Sequence, residues 1–310
     1  MTFPGHTQIS TISARAVLLF LLVLFASACE EPIAAYSPSI TNSSSTQKDP
    51  VYIFSVHPLH NPTRLHEVFS PLMIYLSMHI DNADFQLEAS RNYATYDEKL
   101  YARQSHFSLP NPFQTVNALK HGYRVFGKMG DDDNFRGIIL VRKDSNITEV
   151  SDLKGKVVSY PAPTALAATM LPQYYLQTHG LDVMNEVENR YVGSQESSVL
   201  NVYLGNVAAG ATWPPPWNAL KKERPELAEA LEIKWQTQSL PNNGLIVRDD
   251  VSDAIVKQVS ELLLNLHTHK EGREILARIE LSRFEPANSD TYKPVHDFID
   301  TFSKTVRKVN

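Results

Sequence analysis

An α/β fold is what this sequence predicts, and three observations predict it. Compact apolar and β-branched runs alternate with runs of helical spacing, Gly and Pro punctuate the joins, and the chain is long enough for substantial cores. The first element is Val51-Tyr52-Ile53-Phe54-Ser55-Val56, an apolar run that reads as a buried strand. His57-Pro58 and Asn61-Pro62 break it, and Thr63 is placed to cap a helix carrying Leu65, Val68, Phe69, Leu72, Met73 and Leu76. A second strand follows over 84–90.

The pattern then repeats. Residues 135–142 and 157–160 read as strands, separated by a turn-like helix over 150–156. A helix over 164–179 ends at Gly180. A strand at 189–192, a helix at 197–203 and a strand at 244–248 come next. Helices at 252–267, 272–279 and 292–306 close the chain. Such alternation implies open, mostly parallel sheets covered by helices.

The N-terminus adds a location. Ala16 to Ala26 is an unbroken apolar run after Arg15, too short to span about 30 Å of hydrocarbon, so it reads as a removable signal. Phe25-Ala26-Ser27-Ala28-Cys29 resembles a bacterial lipobox, with Ala26 where Leu is usual. Residues 1–28 are then a lipoprotein signal peptide, Cys29 the lipidated first residue, and Ser/Thr/Asn/Pro-rich 29–49 a flexible tether to a membrane. The competing reading is an ordinary secretory signal with an incidental Cys.

Bulk properties exclude several functions. The formal charge is −5, and removing a leader with one Arg and no acid makes it −6. That argues against nucleic acid as a partner. Cys29 is the single cysteine, so no intrachain disulfide forms. No CxxC, HExxH, nucleophile elbow, P-loop or GxGxxG occurs, so no metal, cofactor or enzyme activity is predicted. Asp131-Asp132-Asp133 reads as a solvated loop and not as a cation site.

Several segments, taken in order, resemble the substrate-binding proteins of phosphonate, phosphite and phosphate ABC importers. They are Pro71-Leu72-x-x-Tyr75-Leu76, Asn92-Tyr93, Asn111-Pro112, Asp144-Ser145-x-Ile147, Ser151-Asp152-Leu153-Lys154-Gly155-Lys156-Val157, Pro172-x-Tyr174-Tyr175-Leu176 with Gly180-Leu181, and Gly193-Ser194-Gln195-Glu196. The resemblance covers nearly all of the chain beyond the leader. It implies a two-lobe periplasmic-binding-protein (type II) fold with two crossing hinge segments and ligand held in the cleft. Lobe one would be 50–141 plus 246–310 and lobe two 142–245, with crossings near Leu140 to Asp144 and Asn242 to Val247. A small solute and an ABC permease are the implied partners.

The chain departs from that family where the anion binds. Phosphonate binders place Ser-Thr-Ser-Gly ahead of the Pro-x-Tyr-Tyr segment; here the four residues are Ala165-Leu166-Ala167-Ala168. The family's His is Gln195, its Asp is replaced within Ala208-Ala209-Gly210, and the aromatic ahead of the first-lobe loop is Pro110. Thr164 is left to cap the helix, and amides at 165–168 remain as donors. A phosphonate dianion would lose several charge-assisted hydrogen bonds at roughly 1.5–3 kcal/mol each. A ligand smaller in charge and partly apolar is expected.

Candidate contacts are each weighed against a plain structural role. Tyr93 matches a ligand-contacting Tyr of the family, or packs in lobe one. Asn111 and Gln114 face the cleft from a Pro-bounded loop, or bond within that loop. Gln195 offers a neutral amide. In Thr212-Trp213-Pro214-Pro215-Pro216-Trp217 the prolines imply a stiff extended backbone, with Trp213 and Trp217 as ligand wall, structural staple or partner edge. Two alternatives to solute capture remain: a ligand-sensing module for a histidine kinase or cyclase, and an envelope structural protein that has lost its ligand.

Overall fold

The computed structural model describes residues 49–309, so the expected signal peptide, Cys29 and nearly all of the expected 29–49 tether lie outside the described residues. Strand β1 (Val51–Val56), helix α1 (Pro62–His79) and β2 (Asp84–Ala89) open the chain as a strand–helix–strand unit. The apolar spacing of α1 buries Leu65, Val68, Phe69, Leu72, Met73 and Leu76. Its cap is Asn61, whose side chain accepts from Arg64 N at 3.0 Å, and not Thr63. Pro62 can occupy the first turn because no intrahelical acceptor waits for the N–H it lacks.

Helix α2 (Tyr93–Tyr101), β3 (Phe107–Leu109), α3 (Pro112–Ala118) and β4 (Tyr123–Met129) complete the first part of lobe one. Lobe two contains β5 (Arg136–Arg142), β6 (Val157–Tyr160), a π-helical turn (Leu166–Met170) running into α4 (Leu171–Thr178), β7 (Glu188–Tyr191) and α5 (Gln195–Tyr203). It continues through β8 (Ala209–Thr212), α6 (Pro214–Glu223), α7 (Pro225–Ala230) and β9 (Leu231–Ser239). The chain then returns to lobe one as β10 (Gly244–Arg248), α8 (Asp253–Asn265), α9 (Lys270–Arg278), β11 (Phe284–Glu285) and α10 (Lys293–Thr305).

The sheets have orders β11-β4-β10-β3-β1-β2 and β7-β6-β8-β5-β9. Both are mixed, which corrects the expectation of mostly parallel sheets. β1 is parallel to β2 and β3, and β6 is parallel to β7 and β8. β5 and β10, the first strands entered after each crossing between sheets, run antiparallel to both of their neighbours. The predicted lobe boundary also moves. β5 pairs with β8 and β9, so the first crossing is Gly130–Phe135 and not Leu140–Asp144. The second crossing is the segment between β9 and β10, residues 240–243.

The prolines at 214–216 are not an extended strut. They fill the first turn of α6, with Trp213 at the N-cap position in extended conformation. Trp217 therefore lies on a helix, 3% exposed, in the lobe-two core with Ile138, Leu140 and Leu220. It does not reach the cleft.

The two crossings are pinned to each other. Asn242 Nδ2 donates to Gly130 O at 2.7 Å, Asn242 N donates to Asp132 Oδ1 at 2.9 Å, and Tyr292 Oη donates to Asn242 O at 2.7 Å. Asp132 also accepts from buried Lys128, and Asp131 accepts from Ser282 N and Oγ at 2.8 and 2.5 Å. Asp131 and Asp132 are thus part of the hinge's own wiring, and among the described residues no cluster of His, Cys, Asp and Glu has metal-site form. Replacing Asn242 by Ala leaves the Gly130 carbonyl and the Asn243 N–H without their side-chain partner. The expected loss is about 1–3 kcal/mol of stability, read from the midpoint of urea unfolding at unchanged slope.

Candidate functional site: a neutral cavity between the lobes

The cleft brings loop ends of lobe one against the start of the lobe-two helix. An inner cavity of about 10 Å³, room for about one water, is lined by His57, Tyr93, Asn111 and Phe135 on one side. Ala165, Leu166, Ala167, Ala168, Gln195 and Trp213 line the other. All ten residues are buried. Outside it lies a recess of about 340 Å³ bounded by Asn92, Tyr93, Asp97, Pro161, Ala162, Pro163, Thr164 and Tyr191. Tyr93 is the wall common to both.

Each lobe-one group is set by a helix end. Asn92 caps α2, accepting from Thr95 N at 2.9 Å, which puts Tyr93 in the first turn facing lobe two. Asn111 caps α3 in a reciprocal box with Gln114: Gln114 N donates to Asn111 Oδ1, and Asn111 N donates to Gln114 Oε1. This segment is a helix start and not the loop the sequence suggested. Asn111 Nδ2 is free to cross the cleft and donates to Thr164 O at 3.1 Å. Gln114 does not line the cavity; its Nε2 donates to Asp97 Oδ1 at 2.6 Å.

The lobe-two wall is built on Ala165-Leu166-Ala167-Ala168. Thr164 does not cap the helix. Ala165 occupies the cap position with no side-chain bond, and the next five residues form the π turn. A π turn widens the first ring of hydrogen bonds, and such turns recur at functional sites. Thr169 N and Met170 N both donate to Ala165 O, while the N–H groups of Leu166, Ala167 and Ala168 meet no acceptor among the described residues. Gly137 on β5 lets this turn come close: a Cβ there would lie 2.6 Å from Ala167 O.

A second bridge crosses deeper. Thr212 Oγ1 donates to Gln195 Oε1 at 2.8 Å, which orients the amide so that Gln195 Nε2 points at Tyr93 Oη, 3.5 Å away. The hydroxyl keeps its own proton to donate. Trp213 meets Phe135 edge to face at 5.5 Å and closes the floor. At the rim His60 Nδ1 lies 3.6 Å from Glu196 Oε1, Arg64 pairs with Glu223, and Lys222 meets Glu280 at 2.6 Å. These rim pairs contribute little individually.

Of the sequence candidates, Tyr93, Asn111, Ala165, Leu166, Ala167, Gln195 and Trp213 line the inner cavity and Thr164 the recess. Gln114 and Trp217 stand apart. Ala168, whose amide the sequence offered as a donor, also lines the cavity, and Phe135 and His57 were missed. His57 stood at the carboxyl end of the first parallel strand, where open α/β sheets hold ligands. No Lys or Arg lines the inner cavity.

Two lobes on a hinge, with unpaired helix amides, a hydroxyl and side-chain amides lining one cleft, define a ligand-binding protein. Residues 54–292 match the family of periplasmic substrate-binding proteins of phosphonate ABC transporters, and the chain belongs to it. The phosphonates-binding periplasmic protein of Escherichia coli is 21% identical over 157 residues, 49% of this chain and 46% of that protein. The chain therefore matches under half the length of that relative. A binding protein component of an ABC phosphonate transporter from Pseudomonas aeruginosa superposes with a TM-score of 0.75 at 17% identity, covering 83% of this chain and 88% of the other. A Prochlorococcus marinus protein solved with methylphosphonate gives 0.75 at 19% identity, covering 82% and 98%. At these identities the superpositions establish the two-lobe fold.

The site's titrations give a signed pH dependence. Burial holds the His57 pKa down at about 4, against 6.5 unfolded, so the unfolded chain takes up more protons between those values. This contribution to stability is complete above about pH 6.5 and is lost as pH falls toward 4. Burial pushes the half-buried Asp97 up to about 6, partly countered by the Gln114 bond. The folded state then holds the extra proton, and stability is lost as pH rises through 6. Asp97→Asn keeps the acceptor for Gln114 and should raise the thermal midpoint near pH 8 more than near pH 4. Equal shifts at both would contradict the assignment.

Proposed function

We propose that the chain is a lipid-anchored solute-binding protein that captures a small acid between its lobes and delivers it to an ABC permease. The observation that carries the ligand reading is the unpaired amide group of Leu166, Ala167 and Ala168, facing Tyr93 across a cavity with no cation. Neutral donors of this kind suit one negative charge, since a helix start supplies partial positive charge only. The head group sits at those amides, and an apolar or flat body extends along Tyr93, Pro161 and Pro163 into the recess.

A ligand larger than a water needs the lobes slightly further apart. It exchanges the Asn111–Thr164 and Gln195–Tyr93 contacts for contacts with itself. Ligand specificity differs from that of family members bearing Ser-Thr-Ser-Gly, because the hydroxyls that would complete a dianion's hydrogen bonds are absent at 165–168. The family gives no support to the sensor alternative. Cys29 supplies the anchor and holds the protein at the cell envelope.

Calorimetry tests the ligand reading: phosphate, phosphite and methylphosphonate, presented as dianions, should bind weakly or not at all, and tight binding would overturn it. Installing Ser-Thr-Ser-Gly at 165–168 should move preference toward phosphonates. Among apolar-bodied monoanions, a true ligand should alter indole fluorescence, and Trp213→Ala should weaken it by more than about 1 kcal/mol, with Trp217→Ala acting on stability alone. Cys29→Ser should release the protein from washed membranes in folded form; retention would count against the anchor.

A further inference from the structure

The inner cavity holds one buried polar side chain that the family reading gives no task. His57 is 2% exposed, and its Nδ1 lies 2.9 Å from Leu109 O. A carbonyl only accepts, so Nδ1 carries the proton. The titratable groups around it do not favour a charged ring. Tyr93 crosses it edge-on at 6.1 Å and stays protonated through burial. A charge on His60 would disfavour a second one here, and His60 is turned toward Glu196. Asp97, on the Tyr93 helix, is engaged by Gln114. A neutral ring that donates from Nδ1 presents a lone pair at Nε2, and no donor among the described residues meets that atom.

The cavity thus combines donors with one acceptor. Leu166, Ala167 and Ala168 offer N–H groups and Tyr93 offers its O–H, while His57 Nε2 can only accept. An acid without a hydrogen to give would leave that lone pair buried against its own oxygens, an unfavourable arrangement. We propose that His57 is a specificity-determining residue whose Nε2 accepts a hydrogen from the ligand head group, so that the cleft takes an acid which carries a single negative charge and still keeps one O–H. This rests on the reading that the cleft binds a small acid, and it adds which protonation state is bound.

Two probes of the same shape separate the possibilities. Methylphosphonate is a monoanion with one O–H at about pH 5 and a dianion without it at about pH 9. Methanesulfonate is a monoanion without O–H at both. By calorimetry at about pH 5, methylphosphonate should bind at least about tenfold more tightly than methanesulfonate. Its affinity should fall by at least about tenfold on going to about pH 9. Asp97 also ionises over that range and repels any anion, so the fall seen with methanesulfonate is the measure of Asp97 alone.

His57→Phe keeps a ring and removes the acceptor, and should bring the two probes within about threefold of each other at about pH 5. Equal or tighter binding of methanesulfonate by the native protein would overturn the proposal and leave the cleft reading standing. Failure of both probes to bind at millimolar concentration would also overturn it, with the cleft then judged by the fluorescence screen. His57→Gln, which restores an acceptor oxygen, should recover part of the discrimination. Should the Phe variant not fold, the native two-probe comparison decides the matter alone.

Discussion

Asn242 touches both segments that carry the chain between the lobes, and the geometry of the cleft depends on that meeting. Its side chain holds the first crossing through Gly130 O, its N–H is held by Asp132, and its carbonyl is held by Tyr292 ahead of the last helix. Two short backbone segments pinned side by side have the form of a hinge between lobes. Groups at the carboxyl end of β1, at the caps of α2 and α3 and at the start of the lobe-two helix therefore meet in one fixed pairing whenever the cleft closes. The C-terminal segment adds a tie to lobe two: Arg307 donates to Pro163 O at 2.6 Å, just ahead of the unpaired amides, and to Gln173 Oε1 at 3.2 Å on the helix that follows them.

What meets there is neutral. The inner cavity has backbone N–H groups, a phenol, two carboxamides, an uncharged imidazole and two aromatic walls. Taking a dianion out of water into such surroundings costs more than these donors return, whereas one charge distributed over a helix start is matched by the partial charge already present. The absence of hydroxyls from Ala165-Leu166-Ala167 and the absence of a capping side chain belong together. Without a side chain to satisfy the helix start, the amides stay open to a ligand, and the π turn spreads them.

Much of this was legible in the sequence because burial writes itself as pattern. β1, α1, the helix ahead of Gly180 and β10 are apolar runs bounded by Pro, Gly or Asn, and the structure has them close to the expected limits. β9 was missed although Leu231, Ile233 and Trp235 alternate with polar residues in a strand pattern, because this sheet edge has no continuous apolar run like those of the inner strands. Pro214–Pro216 misled because a φ near −65° serves an extended strut and a first helical turn equally. Trp213 and Trp217 are four residues apart yet face different regions, since Trp213 has extended φ of −139° and lies outside the helix. Asn111 was placed correctly at the cleft for a reason the sequence hid, its role as a cap. His57 escaped because a lone His beside Pro looks like a strand terminator until Leu109 O fixes its tautomer.

The most direct test of the account is the amide spectrum of Leu166, Ala167 and Ala168 in isotope-labelled protein titrated with methylphosphonate near pH 5. The account predicts that these three N–H resonances move strongly and saturably, because they become hydrogen-bond donors to the bound head group. Saturable binding that leaves the three resonances in place would contradict it, since the ligand would then sit somewhere other than the mouth of this helix.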